Sequence, residues 1–198
     1  GHEYTVSFDL RDFFGSIRPE KHLRGAYALT QEELAVAIVD GAPQQGLPSS
    51  PAVANLAAIP MDVAILRRIK KCAKNVVYTR YVDDLTFSCD DRETVSWLLS
   101  EIPQIVTRCG FRLAPEKTHV QSAKHGRRHI CGVAVDASGV HATRRARRKA
   151  RAAAHRAQLA LADQDATAEQ RQRLAQRARG LAEWCRVRPP RERPTTFG

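Results

Sequence analysis

The sequence has few of the features that mark secreted, membrane-spanning and zinc-binding proteins. It contains five cysteines, an odd number, and no two of them form a Cys-x-x-Cys pair, so we expect neither a disulfide framework nor a zinc site. Its longest apolar stretch, residues 52–66, is interrupted by Asn55, Pro60 and Asp62, which argues against a membrane-spanning helix. These absences predict a cytoplasmic protein without a membrane partner.

Acidic residues are scarce near the end of the chain. The 198 residues carry a formal net charge of +11. Residues 1–140 hold 17 Lys and Arg against 16 Asp and Glu, whereas residues 141–198 hold 15 against 5. A polyanion is the natural ligand for so basic a segment. We therefore expect a folded domain over residues 1–140, a basic helical region over 141–186, and a flexible Pro/Arg tail over 187–198.

Local patterns predict a mixed α+β fold before the basic region. Residues 4–9, YTVSFD, alternate between apolar and polar side chains, which is typical of a strand whose polar face ends in Asp9. Two short runs rich in β-branched and aromatic residues flank Asp83 and Asp84, which predicts a hairpin. Ser50 is expected to cap a helix that has Pro51 in its first turn and continues to residue 71. Two Ala/Arg-rich helices are expected after Thr143.

Three aspartates mark the candidate site. Asp9 and the Asp83–Asp84 pair each lie where a strand meets a turn, and antiparallel pairing of the first strand with the hairpin would bring them to one edge of the sheet. Clustered carboxylates repel one another, and divalent cations such as Mg²⁺ relieve that repulsion. Two such ions about 4 Å apart can activate a hydroxyl and stabilise a leaving pyrophosphate. An Asp-Asp pair is also common at β-turns for backbone reasons alone.

Five segments give these aspartates a family context. The segments FDLRDFFGSI, PQQGLPSSPAVANLA, YTRYVDDLTFS, GFRLAPEKTHV and HICGVAV follow the order and approximate spacing of the palm motifs of reverse transcriptases. The block around the Asp pair most resembles bacterial retron-type enzymes, which more often carry Ala where Val82 stands. Group II intron maturases and diversity-generating reverse transcriptases share the palm. The resemblance implies an antiparallel polymerase palm sheet backed by helices and followed by a basic helical thumb.

The resemblance also implies roles at the catalytic centre. Asp9, Asp83 and Asp84 would hold two Mg²⁺ ions, and Lys117 would protonate the departing pyrophosphate. Judged as an isolated residue, Lys117 could equally be a solvated surface charge.

Three further residues would contact the incoming deoxynucleoside triphosphate. Phe14 would lie under the sugar and reject a ribose 2′-hydroxyl, although a core aromatic beside Phe13 is the alternative. Gln45 and Gly46 would form the loop that lets the backbone approach the nucleotide.

The template–primer duplex would contact two other regions. The hairpin around Gly132 would grip the primer, and the basic helices would lie along the duplex backbone, with an exposed, merely solvated Ala/Arg helix as the alternative. Arg80 either contacts phosphate or pairs with a neighbouring carboxylate. The residues expected to contact nucleic acid are Gly132, Arg144, Arg145, Arg147, Arg148, Lys149 and Arg151.

The implied activity is RNA-directed DNA synthesis by nucleotidyl transfer to a primer 3′-hydroxyl. A structured non-coding RNA is a further candidate partner, and antiviral defence a candidate setting. The alternatives are a catalytically inactive nucleic-acid-binding palm module and an intron maturase-type enzyme. In this family a fingers region precedes the first catalytic strand, so we expect these 198 residues to need a fingers segment or partner chain and to be inactive alone.

Overall fold

The computed structural model describes residues 1–23, 30, 32–33, 35, 38–44, 46–72 and 74–186. The described residues form two compact units, one within residues 2–125 and the other comprising Gly1 with residues 126–186. The elements of the first are β1 (Tyr4–Asp9), α1 (Phe13–Ser16), α2 (Pro19–His22), α3 (Ser50–Lys71), β2 (Val77–Tyr81), β3 (Asp84–Cys89), α4 (Arg92–Arg108) and β4 (His119–Ser122). Those of the second are β5 (Arg128–Ile130), β6 (Val133–Asp136), β7 (Gly139–Ala142), α5 (Arg144–Ala162) and α6 (Ala168–Cys185).

A four-stranded antiparallel sheet with the order β2-β3-β1-β4 organises the first unit. Its register places Val6 opposite Phe87 and Phe8 opposite Leu85, and all four side chains are buried. Because alternate residues of a strand point to the same face, this register gives the sheet one apolar face. Buried residues of α3 and α4 join these side chains in a single core cluster.

The two long helices of this unit begin and end where the sequence provides the appropriate residues. Helix α3 has Pro51 in its first turn and extends to Lys71, as predicted. Helix α4 begins at Asp91, whose carboxylate accepts a hydrogen bond from the backbone N–H of Thr94 at 2.6 Å in a standard N-cap. It is followed by Gly110 at φ 88°. Its buried residues recur at helical spacing and include Leu98, Ile102, Ile105 and Val106.

The second unit combines a three-stranded antiparallel sheet, β5-β6-β7, with a pair of helices. Cys131 and Gly132 connect β5 to β6 at φ 46° and 82°, the positive values that a two-residue hairpin turn of type I′ requires. Thr143 caps α5, and Thr167 forms a capping box with Gln170 at the start of α6.

The predicted α+β class, a palm sheet backed by helices and followed by basic helices, is confirmed. The predicted domain boundary at residue 140 stays a prediction. In the structure, the β5–β7 sheet belongs to the same compact unit as helices α5 and α6. The predicted tail, 187–198, lies outside the described residues. In the part of the chain that the structure describes, no helix is both long and apolar enough to cross a membrane.

Candidate functional site

Backbone register brings the three aspartates to one end of the first sheet. Asp9, the last residue of β1, pairs with Asp84, the first residue of β3. Asp83 lies in the turn between β2 and β3, and its carbonyl accepts a hydrogen bond from the backbone N–H of Leu10 at 3.0 Å. Antiparallel pairing therefore assembles residues that are more than seventy positions apart in sequence.

The charges of these aspartates act on one another. Burial, followed by the charges of Asp83 and Asp9, raises the pKa of Asp84, as expected for a partly buried carboxylate with like-charged neighbours. Lys117 Nζ donates to Asp9 Oδ1 at 2.8 Å. That hydrogen bond and the charge of Asp9 raise the pKa of Lys117. Lys117, whose side chain is 58% exposed, thus offsets part of the negative charge of the aspartates.

The donor atoms at this end of the sheet fit a hard divalent cation. Across the described residues, no group of three or more His, Cys, Asp and Glu side chains is arranged as a ready metal site. Asp9, Asp83 and Asp84 nevertheless offer carboxylate oxygens only, the donors that Mg²⁺ prefers. Mg²⁺ is usually bound by a few carboxylates together with water and substrate phosphates rather than by a complete protein cage.

Arg80 pairs with a carboxylate. Its side chain is only 8% exposed, and its Nη2 lies 2.8 Å from Asp62 Oδ2, so the phosphate-contact alternative does not fit. Arg80 also binds Asn55, seven residues before Asp62. The sequence contains a signal of this pairing, because both residues interrupt the longest apolar stretch of the chain. From the sequence these two positions argued only against a membrane span, and their pairing with Arg80 was not predicted.

The two adjacent phenylalanines occupy different environments. Phe13 is buried at 3% exposure, and its ring lies 5.6 Å from that of Phe111. Phe14 is partly buried at the edge of the core. Gly46 has φ 96°, and no atom of the described residues lies within 4 Å of the position a Cβ would take, so these residues leave its backbone open to close approach. Gln45 lies outside the described residues.

The residues expected to contact nucleic acid lie in the second unit. Gly132 is in the β5–β6 turn. A groove of about 880 Å³ between α5 and α6 is lined by arginines and has a floor of small residues that includes Ala154 and Ala182. All six basic residues expected on α5 are exposed: Arg144, Arg145, Arg147, Arg148, Lys149 and Arg151.

Comparison with known families shows what kind of protein carries this arrangement. Residues 1–159 match the family described as reverse transcriptase (RNA-dependent DNA polymerase). The chain belongs to the reverse transcriptase family. Members of this family generally use divalent metal ions, in agreement with the carboxylate donors above.

Curated relatives of this reverse transcriptase chain are retron enzymes. It is 32% identical to the retron Mx162 reverse transcriptase of Myxococcus xanthus, over 70% of this chain and 35% of that protein. It is 28% identical to the retron Ec86 reverse transcriptase of Escherichia coli, over 78% of this chain and 49% of that protein. The chain thus spans between a third and a half of these relatives. The predicted resemblance to retron-type enzymes is confirmed.

A solved structure shares the fold. The foamy viral protease-reverse transcriptase in complex with an RNA/DNA hybrid is 16% identical, with a TM-score of 0.50, over 75% of this chain and 18% of that protein. At this identity the likeness concerns architecture, and it supports the palm-type arrangement of sheet and helices.

Proposed function

We propose that this chain is the catalytic portion of a retron-type RNA-directed DNA polymerase, which adds deoxynucleotides to the 3′-hydroxyl of a primer paired with an RNA template. The observation that carries the proposal is the pairing of Asp9 with Asp84 beside the Asp83 turn. Family membership supports the reaction type. An inactive palm module would have no use for three mutually repelling carboxylates, and the curated relatives favour a retron enzyme over an intron maturase.

The aspartates are proposed to hold two Mg²⁺ ions. When bound, the ions supply charge neutralisation for the attacking hydroxyl and the leaving pyrophosphate. The chain contributes fixed positions, since Asp83 and Asp84 are held by strand pairing. Lys117 is proposed to donate a proton to the departing pyrophosphate, a role supported by its position at the aspartate cluster, with Nζ 2.8 Å from Asp9 Oδ1.

The remaining roles concern substrate and template. Phe14 is proposed to lie under the deoxyribose, with Gly46 and Gln45 beside the incoming nucleotide. A neighbour in fold was solved with an RNA/DNA hybrid, which supports an RNA template and DNA primer for this chain. The Gly132 turn and the exposed basic residues of α5 are proposed to contact the nucleic-acid backbone. A structured non-coding RNA partner and a role in antiviral defence stay predictions.

The proposal is tested with Asp83→Asn in the full-length protein. This change removes one negative charge while keeping the shape of the side chain. We expect extension of a DNA primer on an RNA template with Mg²⁺ to be abolished, because a neutral amide is a weaker ligand for the ion that would neutralise the negative charge of the transition state. Affinity for the template–primer should persist.

Asp40→Asn is the matched control. Asp40 is exposed and has φ 51°, a backbone conformation that asparagine tolerates, so this variant should extend primers normally. Extension by Asp83→Asn at the wild-type rate would contradict the catalytic assignment.

A further inference from the structure

Arg80 connects helix α3 to the turn that carries the aspartate pair. From β2, its guanidinium donates to Asp62 through Nε at 3.0 Å and Nη2 at 2.8 Å, and to Asn55 Oδ1 through Nη1 at 3.0 Å. The same Nη1 donates to the backbone carbonyl of Val82 at 2.9 Å. One nearly buried side chain thus joins two helical residues to the peptide bond immediately before Asp83.

That peptide bond belongs to an unfavourable backbone conformation. Val82 has φ 56°, in the left-handed region that β-branched residues rarely adopt. Such a conformation persists only where surrounding contacts determine it. Here the Val82 carbonyl is held by Arg80, and the next carbonyl, that of Asp83, is held by the N–H of Leu10 at 3.0 Å. Asp83 is therefore fixed from both sides.

Asp62, at the α3 end of this connection, is held by its position on the helix and by a second hydrogen bond. Asp62 follows Met61, which is fully buried on the core face of α3. Its carboxylate also accepts a hydrogen bond from the hydroxyl of Tyr78 at 2.7 Å. Burial and this bond raise the pKa of Tyr78, so the phenol remains a donor. The Tyr78 ring stacks on Phe87 with centroids 4.8 Å apart.

We propose that Arg80 and Asp62 are positioning residues that hold the Asp83–Asp84 turn in its catalytic geometry by fixing the carbonyl of Val82. The proposal rests on the proposed function of the aspartates, and it concerns how they are placed rather than what they bind. Displacement of a reacting group by about 1 Å can cost on the order of 100-fold in rate. A contact that fixes the turn therefore affects turnover more than substrate affinity.

Arg80→Lys is the sharpest variant. It keeps a positive charge for Asp62 but removes the planar fork that reaches two acceptors at once. We expect kcat for primer extension to fall by roughly 100-fold with the KM for template–primer unchanged. The matched control is Arg68→Lys, because Arg68, on the helix α3 that carries Asp62, also pairs with a carboxylate, that of Glu101 at 2.8 Å, rather than with the turn.

Amide hydrogen exchange supplies a readout that does not depend on activity. The Leu10 amide donates to the Asp83 carbonyl, so a loosened turn should increase its exchange rate by about 10-fold or more in Arg80→Lys and leave it unchanged in Arg68→Lys. A purely structural role would instead lower the melting temperature and accelerate exchange throughout the core of this unit.

The outcomes separate this proposal from the proposed function. Unchanged Leu10 exchange in Arg80→Lys overturns the positioning role whether or not the wild type extends primers. Wild-type protein that fails to extend primers counts against the polymerase function, and the exchange measurement still decides the positioning role. If Arg80→Lys does not fold, Asp62→Asn replaces it. That variant weakens the anchor of Arg80 without removing its shape and should change Leu10 exchange and kcat in the same direction.

Discussion

At the scale of single residues, the adjacent Phe13 and Phe14 allow the proposed substrate role of Phe14 to be tested against a packing role. Phe13 is buried against Phe111, whereas Phe14 lies at the edge of the core. We predict that Phe14→Ala increases the use of ribonucleotides relative to deoxyribonucleotides in primer extension. Phe13→Ala, its matched control, should lower the free energy of unfolding by about 3–5 kcal/mol and leave sugar selection unchanged. The opposite pattern would assign the rejection of ribonucleotides to Phe13.

The sequence predicted that the three aspartates lie at one end of the sheet, but it did not predict the pairing of Arg80 with Asp62. Alternation and turn chemistry predict that Asp9 ends a strand and that Asp83 and Asp84 lie at a hairpin turn, whereas a role as metal ligands is what the resemblance to the palm motifs implies. The partnership of Arg80 with Asp62 depends on how β2 packs on α3, and no local pattern specifies that. A polar residue inside an apolar helix indicates a buried partner without identifying it.

At the scale of elements, α5 places its basic residues on an exposed surface. We predict that replacing Arg147, Arg148 and Arg151 with Gln weakens duplex binding and flattens its dependence on salt. Each phosphate contact contributes about 0.9 to the slope of log K against log salt concentration. The measurement is duplex affinity by fluorescence anisotropy across a series of salt concentrations.

In the control variant, Gln replaces Arg67, Lys70 and Lys71 of α3, which removes the same number of positive charges. These three residues are exposed and carry no proposed contact with nucleic acid. If both triple variants change the slope equally, general charge rather than the surface of α5 governs binding.

Helix limits were more predictable than sheet composition. Helix α3 has Pro51 in its first turn and ends at Lys71 as expected, because Ser-Pro is a local signal, but its N-cap is Ser49 rather than the predicted Ser50. The membership of β4 in the first sheet is a long-range property. It depends on pairing between residues such as Val6 and Val120, and their sequence separation carries no periodic signal.

At the scale of the whole chain, buried apolar side chains are concentrated in the first unit. The core cluster extends from Val6 to Phe111. In the described part of the second unit, the buried apolar residues are Ala134, Ala142 and Ala153, which together bury little apolar area. Local opening should therefore require less free energy in the second unit.

We predict that backbone amides of β1, β3 and α4 exchange most slowly, and those of α5 and α6 much faster, in the protein without nucleic acid. Hydrogen exchange followed by mass spectrometry measures this directly. Adding a template–primer duplex should slow exchange in α5 at low salt and much less at high salt. Equally slow exchange in both units without a duplex would show that alanine packing stabilises the helices more than their burial indicates.

The left-handed conformation of Val82 has a consequence for protein engineering. Holding a β-branched residue at φ 56° costs on the order of 1–2 kcal/mol relative to glycine. A redesign that ranks substitutions by folding stability alone would therefore select glycine at this position. Glycine would also restore freedom to the turn immediately before Asp83. At this one residue, a design for greater thermal stability therefore opposes a design for a precisely held Asp83–Asp84 turn. An optimised variant has to be selected for turnover as well as for melting temperature.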